Sequence, residues 1–198
     1  MVISTQITHR SPVGKRPGGR SARVRQAVFN ATLELLADSA YSSLSIDTVA
    51  ARAGVNKTTI YRNWPTKVDL ILAAAKERSD ALIVTKSTGN PERDLVAFLR
   101  SVAENITSPP GRALVVATLN AADDPDVQRA RDEFWRERFQ AAGELILAAM
   151  RNSDSLIDSD VQLFTERLIA PLYLRVFITG APLDETFIRA TVRAALGY

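Results

Sequence analysis

The sequence predicts an all-α fold of about nine helices. Apolar residues recur at the helical spacing i, i+3, i+4 and i+7 in one segment after another along the chain. Short stretches rich in Pro, Gly, Asp, Asn and Ser separate these segments. The alternating patches that a strand needs, such as ALIVT, lie inside longer helical contexts. With 198 residues, 46% of them hydrophobic, the chain can build one large core or two modest ones.

The chain begins with a segment that is predicted to be a disordered basic arm. Residues 1–20 are rich in Pro, Gly and basic residues and poor in apolar ones, so they cannot bury enough surface to fold alone. A first helix is predicted from Ser21 to near Ala40. Its apolar stripe consists of Val24, Ala27, Val28, Ala31, Leu35 and Leu36.

Two short helices joined by a sharp turn are predicted between Leu44 and Lys67. Ser45 is placed to cap the first helix, and Gly54 stands where that helix must end in a left-handed conformation. Asn56 is placed to cap the second helix, which is short and mostly polar. This pattern is typical of a helix-turn-helix unit, and together with the first helix it makes a three-helix domain over residues 21–66.

Six further helices are expected in a second, C-terminal domain over residues 67–198. Thr66 and Asp69 have the spacing of a capping box at the start of the first of them. Pro171 predicts a kink or a helix boundary inside a strongly apolar segment. The predicted helices cover residues 66–85, 91–107, 111–122, 126–150, 159–179 and 183–196.

The net charge of +3 conceals a strong asymmetry between the two parts of the chain. Residues 1–78 carry twelve Lys and Arg against five Asp and Glu, a net of +7, whereas residues 79–198 carry thirteen against seventeen, a net of −4. Positive charge beside a helix-turn-helix indicates a nucleic-acid partner, and a merely solvated basic face is the alternative. The arm cations Lys15, Arg16 and Arg20 either contact DNA or form a solubilising tail.

Composition excludes several other classes of function. The chain has no cysteine and a single histidine, His9, so no metal site, cofactor or thiol chemistry is expected. It has neither a run of about 18 apolar residues nor the apolar start of a signal peptide, which predicts a cytoplasmic protein without a membrane partner. The carboxylates that an enzyme would use have simpler functions at helix ends and on charged helix faces; they are Asp123, Asp124, Asp126, Glu133 and Glu137.

The stretch SIDTVAARAGVNKTTIYRNWPTKVDLI resembles the DNA-binding signature of the tetracycline-repressor (TetR) family. The resemblance covers about residues 21–72 and includes the Ala-Gly-Val turn, the polar helix with its Tyr, the following aromatic residue and the Lys of the next helix. The stretch PLYLRVFITGAPLDETFI is similar to the end of one large subgroup. This sequence departs from the family pattern at Thr58, where Gly is common, and at Asn63-Trp64, where His-Phe is common.

The resemblance implies that the second short helix lies in the major groove of DNA. The family's DNA-facing positions correspond to Asn56, Lys57, Thr58, Thr59, Tyr61, Arg62, Asn63 and Lys67. Arg62 is the best candidate for a bidentate contact to a guanine edge, and Ile60 is expected to point inward. Trp64 is expected to fill the small core of the three N-terminal helices.

A single helix-turn-helix reads only half of a palindromic site, so a homodimer is expected. Its predicted interface is a four-helix bundle built from the last two helices of each copy, with ordinary core as the alternative; the residues are Leu168, Ile169, Leu172, Val176, Phe187, Ile188 and Val192. The middle helices are expected to enclose a partly apolar small molecule. The candidate ligand-binding residues are Phe98, Val102, Leu119, Phe134, Trp135, Phe139, Phe164 and Tyr173, with Arg100, Glu104, Arg131, Glu166 and Arg175 as polar candidates.

The sequence therefore predicts a homodimeric, ligand-responsive transcriptional regulator. A repressor released from a double-stranded DNA operator by a small molecule is the expected form. The alternative is a nucleic-acid-binding protein that binds constitutively and has no ligand. An enzyme is not expected.

Overall fold

A computed structural model describes residues 19–38, 43–82, 88–119, 125–150 and 161–197. Nine α-helices occur in these ranges, which confirms the all-α prediction. They are α1 (Arg20–Asp38), α2 (Ile46–Ala53), α3 (Lys57–Asn63), α4 (Lys67–Leu82), α5 (Pro91–Thr107), α6 (Pro109–Leu119), α7 (Pro125–Met150), α8 (Val161–Leu174) and α9 (Glu185–Leu196). Within the described ranges, no helix is both long enough and apolar enough to cross a membrane.

The N-terminal core is formed by α1, α2, α3 and the first half of α4. Phe29, Val49, Ile60 and Leu70 are almost completely buried there, one from each of the four helices. Burying such side chains stabilises the fold by about 1.5–3 kcal/mol each. Trp64 packs against this core, with its ring centroid 5.1 Å from that of Phe29, as predicted.

A second core is formed by α5, α7, α8 and α9. Its central side chains are fully buried and come from all four helices: Leu99, Ile146, Leu168, Leu172 and Val192. Helix α6 connects the two cores, because Val115 packs in the second and Leu114 and Ala117 pack in the first. A displacement of α6 therefore disturbs both cores.

The turn predicted at SPPGR is instead the first turn of α6. The helix begins at Pro109. A proline fits the first turn of a helix, because the N–H that it lacks would have no hydrogen-bond partner within the helix there. Ser108 ends α5, and its Oγ accepts a hydrogen bond from the Gly111 N–H at 3.3 Å. Gly111 lies against α5 so closely that a Cβ atom would approach the Asn105 carbonyl oxygen to 1.8 Å. This close approach allows α5 and α6 to follow each other without a loop.

Pro171 does not end its helix. Helix α8 runs through it to Leu174 and continues as a π-helical turn, Arg175–Thr179, which stops at Gly180 in the left-handed region (φ 68°). The missing N–H of a proline removes one helical hydrogen bond, and the wider turn follows within a few residues. Arg175 then holds the connection to α9, because its Nη1 donates to the Pro182 carbonyl at 2.6 Å and its guanidinium stacks on Phe187.

The residues predicted for a dimer interface lie in the core of the single chain. Phe187 is half-buried against that core, and the other six are buried in it: Leu168, Ile169, Leu172, Val176, Ile188 and Val192. Their own chain already covers these side chains, so they offer little apolar surface to a second copy. The exposed apolar side chains of this region are Leu163, Leu174 and Ile178.

Candidate nucleic-acid interface and inner cavity

Local caps fix the geometry of the turn between α2 and α3. The Ser45 Oγ accepts from the Thr48 N–H at 3.1 Å, and Thr48 accepts in return from the Ser45 N–H. Gly54 ends α2 with φ 65° and ψ 34°, and its N–H reaches the carbonyls of the last turn. The Asn56 Oδ1 accepts from the Thr58 N–H at 2.9 Å and starts α3. The predicted roles of Ser45, Gly54 and Asn56 are confirmed.

Helix α3 exposes most of its side chains. Ile60 is its one buried residue and is 0% exposed, as predicted. Thr59 is half-buried; the remaining side chains are exposed and come from Lys57, Thr58, Tyr61, Arg62 and Asn63. A short helix anchored by one isoleucine presents its polar face to solvent, at a width that the major groove of B-DNA admits.

Some of the predicted contact residues already have partners within the chain. Lys57 Nζ lies 3.2 Å from Asp47 Oδ1, an exposed ion pair. The Asn63 amide donates to the Thr59 carbonyl at 2.7 Å. The Asn56 side chain is used in the cap of α3. Tyr61, which is 48% exposed, and Arg62 project from the same helix.

The start of α4 places Lys67 next to α3. The Thr66 Oγ1 accepts from the Asp69 N–H at 3.1 Å, and the Asp69 Oδ2 accepts in return from the Thr66 N–H at 3.0 Å, which confirms the predicted capping box. Lys67 is the first residue of the helix and is half-buried. The reciprocal cap fixes the direction in which α4 leaves the helix-turn-helix.

Two arginines at the start of α1 add positive charge beside the turn. Arg20 and Arg23 are exposed and line a surface depression together with Gly54 and Val55. Arg25 differs from them, because it pairs with Glu77 of α4 and stacks on Phe29. The sequence indicated a basic segment here without showing which of its cations lie beside the turn; Lys15 and Arg16 lie outside the described residues.

A small cavity lies between α4, α5, α6, α7 and α8, with a volume of about 70 Å³. Six of the eight candidate ligand-binding residues line it: Phe98, Val102, Phe134, Trp135, Phe139 and Tyr173. Phe164 is buried in the second core and is not among the lining residues. The side chain of Leu119 lies outside the described residues.

The polar groups of the cavity are not the predicted ones. Arg100 pairs with Glu185 and Arg175 bonds a carbonyl, and none of the five predicted polar candidates lines this cavity. The polar lining residues are Ser79, Asn105, Thr118 and Arg138. Burial raises the pKa of Tyr173 to about 12, so its phenol is neutral at physiological pH. Arg138 follows Phe134 by one helical turn, a spacing that could have indicated it.

Helix α4 is tied to the cavity walls by polar contacts. Asp80 pairs with Arg138, and Lys76 pairs with Glu137, both across to α7. Hydrogen bonding to Lys76 holds the pKa of the exposed Glu137 carboxyl below its ordinary value. Arg78 donates to the Asn105 Oδ1 at 3.2 Å and to the Ser108 Oγ at 2.9 Å. The helix that starts beside α3 therefore ends in contact with α5 and α7.

A capped, exposed helix on a three-helix core, next to a basic helix start, defines a helix-turn-helix DNA-binding protein. Residues 28–74 match the family profile of bacterial regulatory proteins of the tetR family, and residues 85–195 match that of the tetracyclin repressor-like C-terminal domain. The chain belongs to the TetR family of transcriptional regulators. It binds DNA through its helix-turn-helix, and its family is not an enzymatic one.

Relatives extend this likeness over most of the chain. The sequence is 32% identical over 171 residues to the HTH-type transcriptional regulator AqdR of Rhodococcus erythropolis, covering 85% of this chain and 83% of that protein. It is 30% identical over 167 residues to the DNA-binding transcriptional repressor TetR of Mycobacteroides abscessus, covering 82% and 86%. The crystal structure of a TetR family transcription regulator superposes with a TM-score of 0.74 at 31% identity, covering 88% of this chain and 97% of that one.

Proposed function

We propose that the chain is a homodimeric transcriptional repressor that a small molecule releases from a palindromic operator. The observation that carries this proposal is the path of α4, which starts at the helix-turn-helix with Lys67 and is bound through Asp80 to the wall of the inner cavity. The repressor named among the relatives supports repression rather than activation. The division into a DNA-binding domain over residues 21–66 and an effector and dimerisation domain over residues 67–198 is part of the proposal.

The operator is read by α3. Arg62 makes a bidentate contact to a guanine edge, because its planar guanidinium matches the two acceptors that guanine presents in the major groove. Thr58 and Thr59 contact thymine methyl groups or phosphate. Tyr61 and Lys67 contact the phosphate backbone and set the position of the helix. Three further exposed residues complete the predicted set: Asn56, which caps α3, Lys57, which pairs with Asp47, and Asn63, which donates to the Thr59 carbonyl.

The dimer forms through the outward face of α8. Leu174 and Ile178 are 52% and 76% exposed, and Leu163 is 49% exposed. Exposed apolar side chains along one helix favour a partner surface, since a solvated helix face is normally polar. A two-fold axis through this face brings α8 and α9 of both copies together in a four-helix bundle, which places two α3 helices on successive turns of DNA.

Release follows from a shift between two arrangements of α4. An effector in the cavity contacts side chains of α5, α7 and α8 and favours an arrangement in which α4 is tilted. The tilt moves the two α3 helices away from the spacing of the half-sites, about 34–36 Å. A differential affinity of about 1–3 kcal/mol between the two arrangements is enough for a typical allosteric response.

Selection of genomic fragments by the purified protein tests this function. We expect the recovered sites to share an inverted repeat with half-sites about one helical turn apart, each bound by one copy of the chain. Fragments without a common sequence would contradict the operator claim and favour a non-specific binder. Sedimentation of the chain as a monomer at micromolar concentration would contradict the dimer.

A further inference from the structure

Arg138 connects the inner cavity with the surface of α4. Its side chain is 15% exposed and lines the cavity, while its Nη1 lies 2.5 Å from the Oδ1 of Asp80. The side chain of Asp80 is 56% exposed. The cation is therefore largely covered by protein, whereas its counter-ion lies mostly in water.

The charge of the described cavity lining is positive only. Among its described lining residues, Arg138 alone carries a charge at physiological pH, since Ser79, Asn105 and Thr118 are neutral and Tyr173 holds its proton. A covered cation that shares a wall with neutral groups favours a ligand with an anionic group and disfavours a cationic ligand. The guanidinium has the planar geometry that binds a carboxylate through two hydrogen bonds.

The rest of the wall suits a flat apolar body. Five aromatic rings line the cavity, and four of them are in contact through Trp135, whose ring centroid lies 5.3 Å from that of Phe134, 6.0 Å from that of Tyr173 and 6.5 Å from that of Phe139. The Phe134 and Tyr173 rings each meet Trp135 at an edge-to-face angle of 76°. Such walls hold a planar ring by offset stacking or edge contacts.

We propose that the effector is an ionised aromatic carboxylic acid. Its carboxylate replaces the Asp80 carboxylate as the ion-pair partner of Arg138. The inference rests on the proposed function and extends it, since it names the chemical class of the effector and the contact that it breaks. Exchange is favoured because an exposed aspartate contributes little to an ion pair and is readily hydrated when it is released. The carboxylate of the effector meets the guanidinium inside the wall, where water screens it less.

The exchange acts on α4 at its C-terminal half. Asp80 lies four residues after Lys76, whose pairing with Glu137 is the neighbouring tie between α4 and α7. When the Asp80 contact is lost, α4 loses one of the two described ion pairs that join it to α7. The arrangement of α4 that releases DNA is then favoured in the effector-bound chain.

The effector enters through the aromatic wall. The cavity has a volume of about 70 Å³. An apolar cavity that binds benzene has a volume of about 150 Å³, so this cavity has to widen to hold an aromatic ring. Trp135, Phe139 and Tyr173 line both this cavity and an apolar groove of about 940 Å³ between α6, α7 and α8, which Leu174 and Ile178 of the proposed dimer face also line. Rotation of these rings joins the two spaces and admits a ring system, while the carboxylate remains at Arg138.

A matched pair of probes tests the inference by calorimetry. 2-Naphthoate and 2-naphthamide have the same ring system and differ in charge. We expect the wild-type chain to bind the acid at least about tenfold more tightly than the amide, as a charge-assisted contact requires. Arg138→Gln should remove this preference and retain the amide affinity. Arg136→Gln, on the exposed face of the same helix, is the control and should leave both affinities unchanged.

Asp80→Asn is an independent test, because it leaves the Arg138 guanidinium in place. Without its competitor, Arg138 should bind 2-naphthoate several-fold more tightly, with no change for the amide. Equal affinities for acid and amide in the wild-type chain would overturn the inference, as would an acid preference that survives in Arg138→Gln. Binding of neither probe would also overturn it. If Arg138→Gln binds neither probe, the Asp80→Asn result decides: an unchanged acid affinity overturns the inference.

Operator binding, measured separately on selected genomic fragments, distinguishes this inference from the proposed function. A chain that binds a specific operator but shows no acid preference contradicts the effector class and leaves the repressor intact. A chain that prefers the acid but binds no specific DNA contradicts the repressor and leaves the anion site intact.

Discussion

The α2–α3 unit and the inner cavity differ in how far apart in the sequence their residues lie. The α2–α3 unit is fixed by caps and one anchor within about twenty residues, from Ser45 to Trp64. The cavity is assembled from five helices, and residues as far apart in the sequence as Ser79 and Tyr173 line it together. The first site depends on local backbone geometry and the second on tertiary packing, so substitutions should affect them differently.

The anchor of α3 should give the largest loss of stability. Ile60→Ala removes a fully buried side chain and should lower the free energy of unfolding by about 2–5 kcal/mol. Ile60→Val should cost about 0.5–1.5 kcal/mol as the graded control. Denaturant unfolding measures both. Equal stability of the alanine variant and the wild type would show that the single anchor does not hold α3.

Arg62→Ala should give the largest loss of specific DNA affinity. Loss of a bidentate guanine contact weakens specific binding by about 1–3 kcal/mol and relaxes the base preference at one position of each half-site. Fluorescence anisotropy on the selected operator and on its single-base variants measures this. Arg136→Ala removes an exposed arginine of α7, outside the helix-turn-helix, and is the control. An unchanged base preference in Arg62→Ala would remove Arg62 from base recognition.

The turn itself tests the local character of the first site. Gly54 has φ 65°, and a Cβ atom there would meet no atom within 4 Å, so the cost of Gly54→Ala comes from the backbone alone. We expect a destabilisation of about 1–2 kcal/mol. Gly54→Asn should lose less, because asparagine tolerates the left-handed region. A larger loss for Asn than for Ala in thermal unfolding would contradict this explanation.

The exposed tie between α4 and α7 should give the smallest change in stability. Lys76 and Glu137 are both about half exposed, so Lys76→Gln should leave thermal unfolding essentially unchanged. The same variant should still alter the response of operator affinity to an effector, because it loosens α4 next to Asp80. An effector response identical to that of the wild type would exclude this pair from the coupling.

The sequence predicted the caps of the α2–α3 unit because their determinants are local. Ser45, Gly54 and Asn56 each act on backbone groups within a few residues, so spacing alone indicates their function. The start of α6 was missed since consecutive prolines are typical of turns and also fit a first helical turn. Only the contact of Gly111 with α5 distinguishes the two.

Helical spacing indicated much of the apolar lining of the inner cavity and none of its polar lining residues. Five aromatic residues and Val102, all at helical spacing, were predicted and line the cavity, because apolar periodicity reports which face of a helix is covered. It does not report what covers that face. The apolar residues of α8 and α9 were therefore interpreted as surface for a second copy, although their own chain covers them. The spacing of Arg138 from Phe134 indicates a shared helix face, but it does not show that α4 packs beside that face and supplies Asp80.

The most direct test of the account measures the coupling between the cavity and the operator in both directions. Trp64→Phe leaves Trp135 as the sole tryptophan, whose fluorescence then reports ligand binding in the cavity wall. A ligand detected in this way should weaken operator binding by about 5–150-fold, and operator should weaken ligand binding by the same factor. A ligand that saturates the cavity and leaves operator affinity unchanged would contradict the account.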